Sequence, residues 1–118
     1  MEALKQYEIW WANLPGPAGR RPVLLLSRDS AYTVLQKFVV AEITTTIRGI
    51  PVEVRLGRSD GIAKRCVVNF DNLRTIPRQY LAERISQLSP SRVVEVKRAL
   101  GYVFAWDELM DLSDFQPD

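Results

Sequence analysis

Histidine is missing altogether, and cysteine occurs once, as Cys66. The first absence removes Ser-His-Asp and Cys-His catalysis, a paired-histidine ribonuclease mechanism and histidine-ligated zinc, because each needs an imidazole or several thiolates. The second removes an internal disulfide, which fits a reducing compartment. No apolar run is long enough to cross a bilayer, and the opening "MEALKQYE" lacks the basic, apolar and small-residue order of a signal peptide. The expected setting is therefore cytoplasmic, with no membrane partner. Any chemistry has to run on Arg, Thr or Ser, Asp or Glu, Tyr or Lys.

What is present is a domain-sized chain of 118 residues, 47% hydrophobic, enough to bury a core without staples. The net charge of +2 conceals a division. Residues 1–106 carry 16 Lys and Arg against 9 Asp and Glu, whereas 107–118, "DELMDLSDFQPD", carry five acids and no base. A single domain over 1–106 followed by an acidic tail over 107–118 is the expected organisation. Of the cations 12 are arginine. A planar guanidinium matches phosphate in a way that an ammonium does not, so a nucleic acid is a fitting partner for the basic body. A genome rich in G and C would also favour Arg over Lys.

Strand signals dominate most of the chain. They are "YEIWWANL" (7–14), "RPVLLLS" (21–27), "KFVVAEITTT" (37–46), "VEVRL" (52–56), "RCVVNF" (65–70) and "NLRTI" (72–76). Short strands at this spacing point to a small β-barrel. A strand or a short helix is expected over Tyr80 to Leu88. Ser89 as N-cap and Pro90 at the first helical position then open a helix, with Val93, Val96, Leu100, Val103 and Phe104 on one stripe. Gly101 is expected to weaken that helix or to end its best part.

The order "EIWWANL", a Pro/Gly loop, "RRPVLLLS", "VVAEITTT", "VEVRL", "CVVNFDNLRTI" and "RISQLSPSRVVEVKRAL" resembles the MazF/Kid (PemK) toxins over residues 7–104. The resemblance implies a mainly β fold, an SH3-like small barrel with a C-terminal helix. It also implies a homodimer that cleaves single-stranded RNA at short motifs without metal or cofactor and is neutralised by a cognate antitoxin. By position the resemblance assigns the catalytic pair to Arg21 and Thr44, and an RNA-contacting edge to Asp71, Asn72 and Arg74. The alternative on the same barrel is a non-catalytic toxin or an RNA-binding module. Among such toxins the CcdB-like topoisomerase poisons carry a Trp-Gly-Ile terminus, while this chain ends "DFQPD".

The chemistry of the residues is compatible with that assignment. Attack of a 2′-hydroxyl on the adjacent phosphate builds charge on the non-bridging oxygens, where a fixed guanidinium stabilises it. Pro22 restricts the backbone at Arg21, and the apolar strand behind it anchors the side chain. Thr44 can donate to a phosphate oxygen or accept from the 2′-hydroxyl. Neither is an ordinary base, since arginine keeps its proton and a threonine hydroxyl is too weak. The base stays open between Arg21, as the resemblance has it, and Glu42, which shares a strand face with Thr44.

Other candidates have simpler readings beside the functional one. Arg20 is a neighbouring charge, solvated or steering RNA. Asp71 and Asn72 are also ordinary turn residues. Trp10 and Trp11 must face opposite ways, one into the core and the other, expected to be Trp11, toward a base or a second subunit. The loop "PGPAG" (15–19) is shorter than the resemblance leads one to expect, implying a more open groove or altered specificity. The acidic tail is expected either to lie near the basic groove and weaken RNA binding, or to be a frayed or dimer-packing end.

Overall fold

Alternation is what builds the architecture. In a computed structural model, which describes residues 3–112, six strands run as β1 (Glu8–Leu14), β2 (Gly19–Leu25), β3 (Lys37–Thr44), β4 (Glu53–Leu56), β5 (Cys66–Pro77) and β6 (Leu81–Gln87). They form one antiparallel sheet in the order β4-β5-β3-β2-β1-β6. The sheet is curled, a half-barrel whose edge strands are β4 and β6. A short helix α1 (Ala31–Val34) links β2 to β3, and α2 (Pro90–Phe104) follows β6.

Successive residues on each strand supply opposite faces. Ile9, Leu24, Ala41, Ile43, Val54, Val68 and Phe70 pack on one face, where Val96 and Ala99 of α2 cover them. Their neighbours Trp10, Val23, Leu25, Val40 and Ile76 pack on the other with Tyr32 and Phe38. Burying any one of these large aliphatic side chains contributes roughly 1.5–3 kcal/mol, so the two clusters together fix which way every strand faces. Trp10 is thereby the core tryptophan, with its indole N–H donating to the buried Glu8 carboxylate at 3.1 Å.

The mainly β class with a C-terminal helix is as the sequence indicates, and Ser89 does cap α2, its hydroxyl accepting from the Arg92 amide. Of the two readings open for 80–88 the strand is the one formed, over 81–87. Three local expectations need correction. The segments 65–70 and 72–76 are one strand, β5, interrupted by a bulge. Gly101 does not end α2, which runs on to Phe104. Phe104 itself lies off the buried stripe, 44% exposed and stacked on Trp106 with ring centroids 4.8 Å apart.

The reason for Gly101 is contact. After α2 the chain turns at Ala105 and α3 (Asp107–Met110) folds back onto it, with the Trp106 amide donating to the Gly101 carbonyl at 2.8 Å. A Cβ at Gly101 would stand 2.7 Å from Leu109 Cβ and 2.9 Å from the Met110 amide nitrogen. The Arg98 guanidinium completes the junction by donating to the Leu112 carbonyl at 2.6 Å. The part of the acidic tail that is described therefore packs on α2; residues 113–118 lie outside the described residues.

Candidate active site

One face of the sheet changes character at a single level. Moving along β2 from Leu25 and Val23, the next residue on that face is Arg21. Along β3, Val40 is followed by Glu42 and Thr44, and along β5, Ile76 gives way to Arg74. Pairing of Val23 with Glu42 and of Val40 with Arg74 brings these polar ends together. The apolar cluster behind them holds the backbones rigid, and the polar side chains gather at its rim.

Glu42 is the centre of the group. It is only 8% exposed, and its two oxygens are divided between two arginines: Arg21 Nη1 donates to Oε1 at 3.0 Å, and Arg74 Nε forms an ion pair with Oε2 at 2.9 Å. A buried carboxylate is tolerated because both oxygens meet charged donors. Arg21 has a second anchor, since its Nε donates to the Ala18 carbonyl at 3.1 Å. That carbonyl belongs to a one-turn 3-10 helix over Gly16–Ala18, which makes up most of the loop between β1 and β2. Gly16 and Gly19 sit at φ of 70° and 60°, a region that side-chain-bearing residues rarely enter, and this lets so short a loop close. Nη2 of Arg21 has no partner among the described residues.

Two clefts flank the Glu42 carboxylate. The first, of about 360 Å³, is lined by Arg21 and Thr44 with Arg20, Trp11 and Pro22, and on its far wall by Ile62, Lys64 and Cys66. The second, of about 460 Å³, is lined by Glu42, Arg74, Asp71 and Asn72 with Lys37 and Tyr80. Thr44 is half-buried at the end of β3, and its hydroxyl accepts from the Thr46 amide at 3.2 Å, leaving its own proton to give.

The bulge in β5 explains the second cleft. Ala41 pairs with Leu73, but its neighbour Glu42 pairs with Asn69, so 70–72 have no partner on β3. Asp71 and Asn72 are pushed out and exposed, with the Asp71 amide donating to the Asn69 side-chain oxygen at 2.9 Å. A bulge of this kind re-aims side chains next to a site. Turn chemistry at 71–72 is thus realised inside a strand.

Arg20 is not simply solvated. Its guanidinium lies 4.8 Å from the Trp11 ring centroid and donates to Glu83 of β6 at 3.1 Å. Trp11 is half-buried in the wall of the first cleft. The structure therefore gathers Arg21, Thr44, Arg20 and Trp11 at one cleft and Asp71, Asn72 and Arg74 at the next, with Glu42 between.

Sequence reasoning did not single out Ile62 and Lys64. They stand in a loop whose pairing with the site is long-range, and the only available signal was the adjacent cations of "AKRC". Burial and the nearby Asp60 charge push the Cys66 thiol above its ordinary range. A thiol held in its neutral form in this way is a wall residue, not a nucleophile.

A family profile described as PemK-like, MazF-like toxin of type II toxin–antitoxin system matches residues 5–104. The chain is 40% identical over 98 residues to a probable endoribonuclease MazF2 of Mycobacterium tuberculosis, covering 82% of this chain and 94% of that one. It is 40% identical over 94 residues to a probable endoribonuclease MazF5 of the same organism, covering 79% and 85%. Among solved structures, Mycobacterium tuberculosis toxin MazF-mt6 superposes with a TM-score of 0.77 at 36% identity, covering 83% of this chain and 96% of that one. A mycobacterial endoribonuclease in complex with its cognate antitoxin gives 0.78 at 25% identity, covering 87% and 96%.

Proposed function

The chain belongs to the PemK-like, MazF-like toxins of type II toxin–antitoxin systems, and we propose that it is an endoribonuclease cutting single-stranded RNA at short motifs with Arg21 and Thr44. The observation that carries this reading is their convergence. A guanidinium held at Nε and Nη1, with Nη2 uncommitted, shares one cleft with a hydroxyl able to donate.

A scissile phosphate in that cleft would meet Arg21 on a non-bridging oxygen and Thr44 on another. The 2′-hydroxyl gives up its proton as its oxygen attacks phosphorus, the bond from phosphorus to the 5′-oxygen breaks, and the 5′-oxygen takes up one proton, so that the net transfer is from the 2′- to the 5′-oxygen. The products are a 2′,3′-cyclic phosphate and a 5′-hydroxyl. Charge rises on the phosphoryl oxygens as the transition state forms, and a preorganised guanidinium stabilises that state more than the ground state. No metal or cofactor enters the scheme.

Trp11 offers an aromatic face for a base beside the scissile phosphate, and Arg20 supports it while adding positive charge. Asp71, Asn72 and Arg74 would read or hold the neighbouring nucleotides. The working form is a homodimer in the cytoplasm, silenced by a small antitoxin protein. No helix among the described residues is long and apolar enough to cross a membrane.

The test is to incubate the purified protein with a long single-stranded RNA in EDTA and map the ends. Cuts at one short motif, leaving cyclic phosphates, are expected, and Arg21→Ala should abolish them while the fold survives. Full cleavage by that variant would move the chemistry away from this cleft.

A further inference from the structure

We propose that Glu42 is a positioning residue that fixes Arg21 at one cleft and Arg74 at the other, coupling the grip on the scissile phosphate to the grip on the neighbouring nucleotides. This rests on the reading of Arg21 given above. Three observations carry it. Each carboxylate oxygen is committed to a different arginine, at 3.0 and 2.9 Å. The carboxylate is buried, so water offers little to replace either partner. Finally, Glu42 lines the cleft of Asp71 and Asn72 and not the cleft of Thr44, which sets it apart from a base that has to reach a 2′-hydroxyl there.

The two arginines depend on Glu42 in different ways. Arg21 keeps its Ala18 anchor when the carboxylate is lost, but a planar group held at one point swings, whereas one held at two does not. Misplacement of a charge-stabilising group by about 1 Å costs on the order of a hundredfold in rate. Arg74 loses its carboxylate partner. A nucleotide that draws Arg74 away, or a substitution that removes it, frees one oxygen of Glu42, so the carboxylate can turn and carry Arg21 with it. Residues joined through one buried carboxylate should behave non-additively when substituted.

The experiment compares Glu42→Gln, Arg74→Ala and their double variant with the unaltered chain, on a short RNA containing the mapped motif. It reads kcat, KM and the dependence of kcat on pH from about 6 to about 9. Glu42→Gln should lower kcat at least about tenfold and leave the shape of the pH profile unchanged. Arg74→Ala should lower kcat as well as raise KM, and the double variant should lose less than the product of the two single losses. Unaltered kcat in Glu42→Gln, or disappearance of an acid limb from its profile as expected of a general base, would overturn the proposal. So would Arg74→Ala acting on KM alone, and that arm decides the matter if Glu42→Gln does not fold. Should Arg21→Ala cleave normally, the underlying site reading fails as well; the other adverse outcomes, with Arg21→Ala inactive, overturn only the positioning role.

Discussion

Arg92 grips Asp60 with two parallel hydrogen bonds, Nε to Oδ1 at 3.0 Å and Nη2 to Oδ2 at 3.1 Å. This fork fastens α2 to the loop between β4 and β5. Asp60 also accepts from the Gly57 amide, and its carbonyl accepts from the Ser86 hydroxyl of β6. Arg92→Ala would leave a buried carboxylate without its cation and should cost about 3 kcal/mol in urea unfolding. The same loop carries Ile62 and Lys64 into the wall of the first cleft, so KM should rise too. Donation to the Asp60 carboxylate raises the Arg92 guanidinium above its ordinary range. The contribution is therefore fully present throughout the neutral range and is lost only in strong alkali. An unchanged urea midpoint would refute the role of the fork.

Thr44 separates a hydroxyl effect from a packing effect. Thr44→Val keeps the shape and removes the donor, and should lower kcat by about a hundredfold. Thr44→Ser keeps the hydroxyl and should retain most of the rate. Equal activity in the two variants would show that the hydroxyl is not used.

Gly101 sets two forces against each other. Alanine there gains about 1 kcal/mol of helix propensity in α2. Its Cβ, however, would overlap Leu109 and the Met110 backbone, so α3 must shift. Gly101→Ala should leave global stability close to that of the unaltered chain while the Leu109 and Met110 amides exchange faster with solvent. Unchanged protection at those amides would mean that α3 accommodates the methyl group in place.

Stability should fall in mild alkali. Burial, with a further push from Asp60, raises the Cys66 thiol above 9.0. Burial, then the charges of Asp29 and Glu8, raises the Tyr32 phenol well above its ordinary value. Both groups hold their protons longer in the folded chain than in the unfolded one. Their stabilisation is thus complete below the unfolded values and declines as pH climbs through the interval up to the folded ones. The urea midpoint should be level to about pH 8 and drop above about pH 9, and Cys66→Ala should flatten the first part of that drop. A midpoint that rises with alkali would contradict the sign.

Where contacts are local, the sequence was a good guide. Alternation in "VEVRL" and β-branching in "KFVVAEITT" place β4 and β3, and the Ser89-Pro90 pair starts α2 at the right residue. β6 was ambiguous because its apolar residues, Leu81 and Ile85, stand four apart, a helical spacing. Two register shifts against β1 are what let a strand present them. Asp71 and Asn72 read as a turn because turn residues also suit a bulge. Parity along β3 placed Glu42 on the face of Thr44. Its arginine partners come from 21 residues before it and 32 after, a distance over which no local pattern speaks.

The loop over 15–19 has a consequence for the temperature dependence of the reaction. In the folded chain a closed 3-10 turn and two prolines fix the segment, and the Ala18 carbonyl already holds Arg21. Ordering of that guanidinium is completed during folding, not on meeting RNA. The activation entropy of cleavage should accordingly carry little penalty from this side of the cleft, and lengthening the loop with glycines should slow the reaction mainly through that entropy.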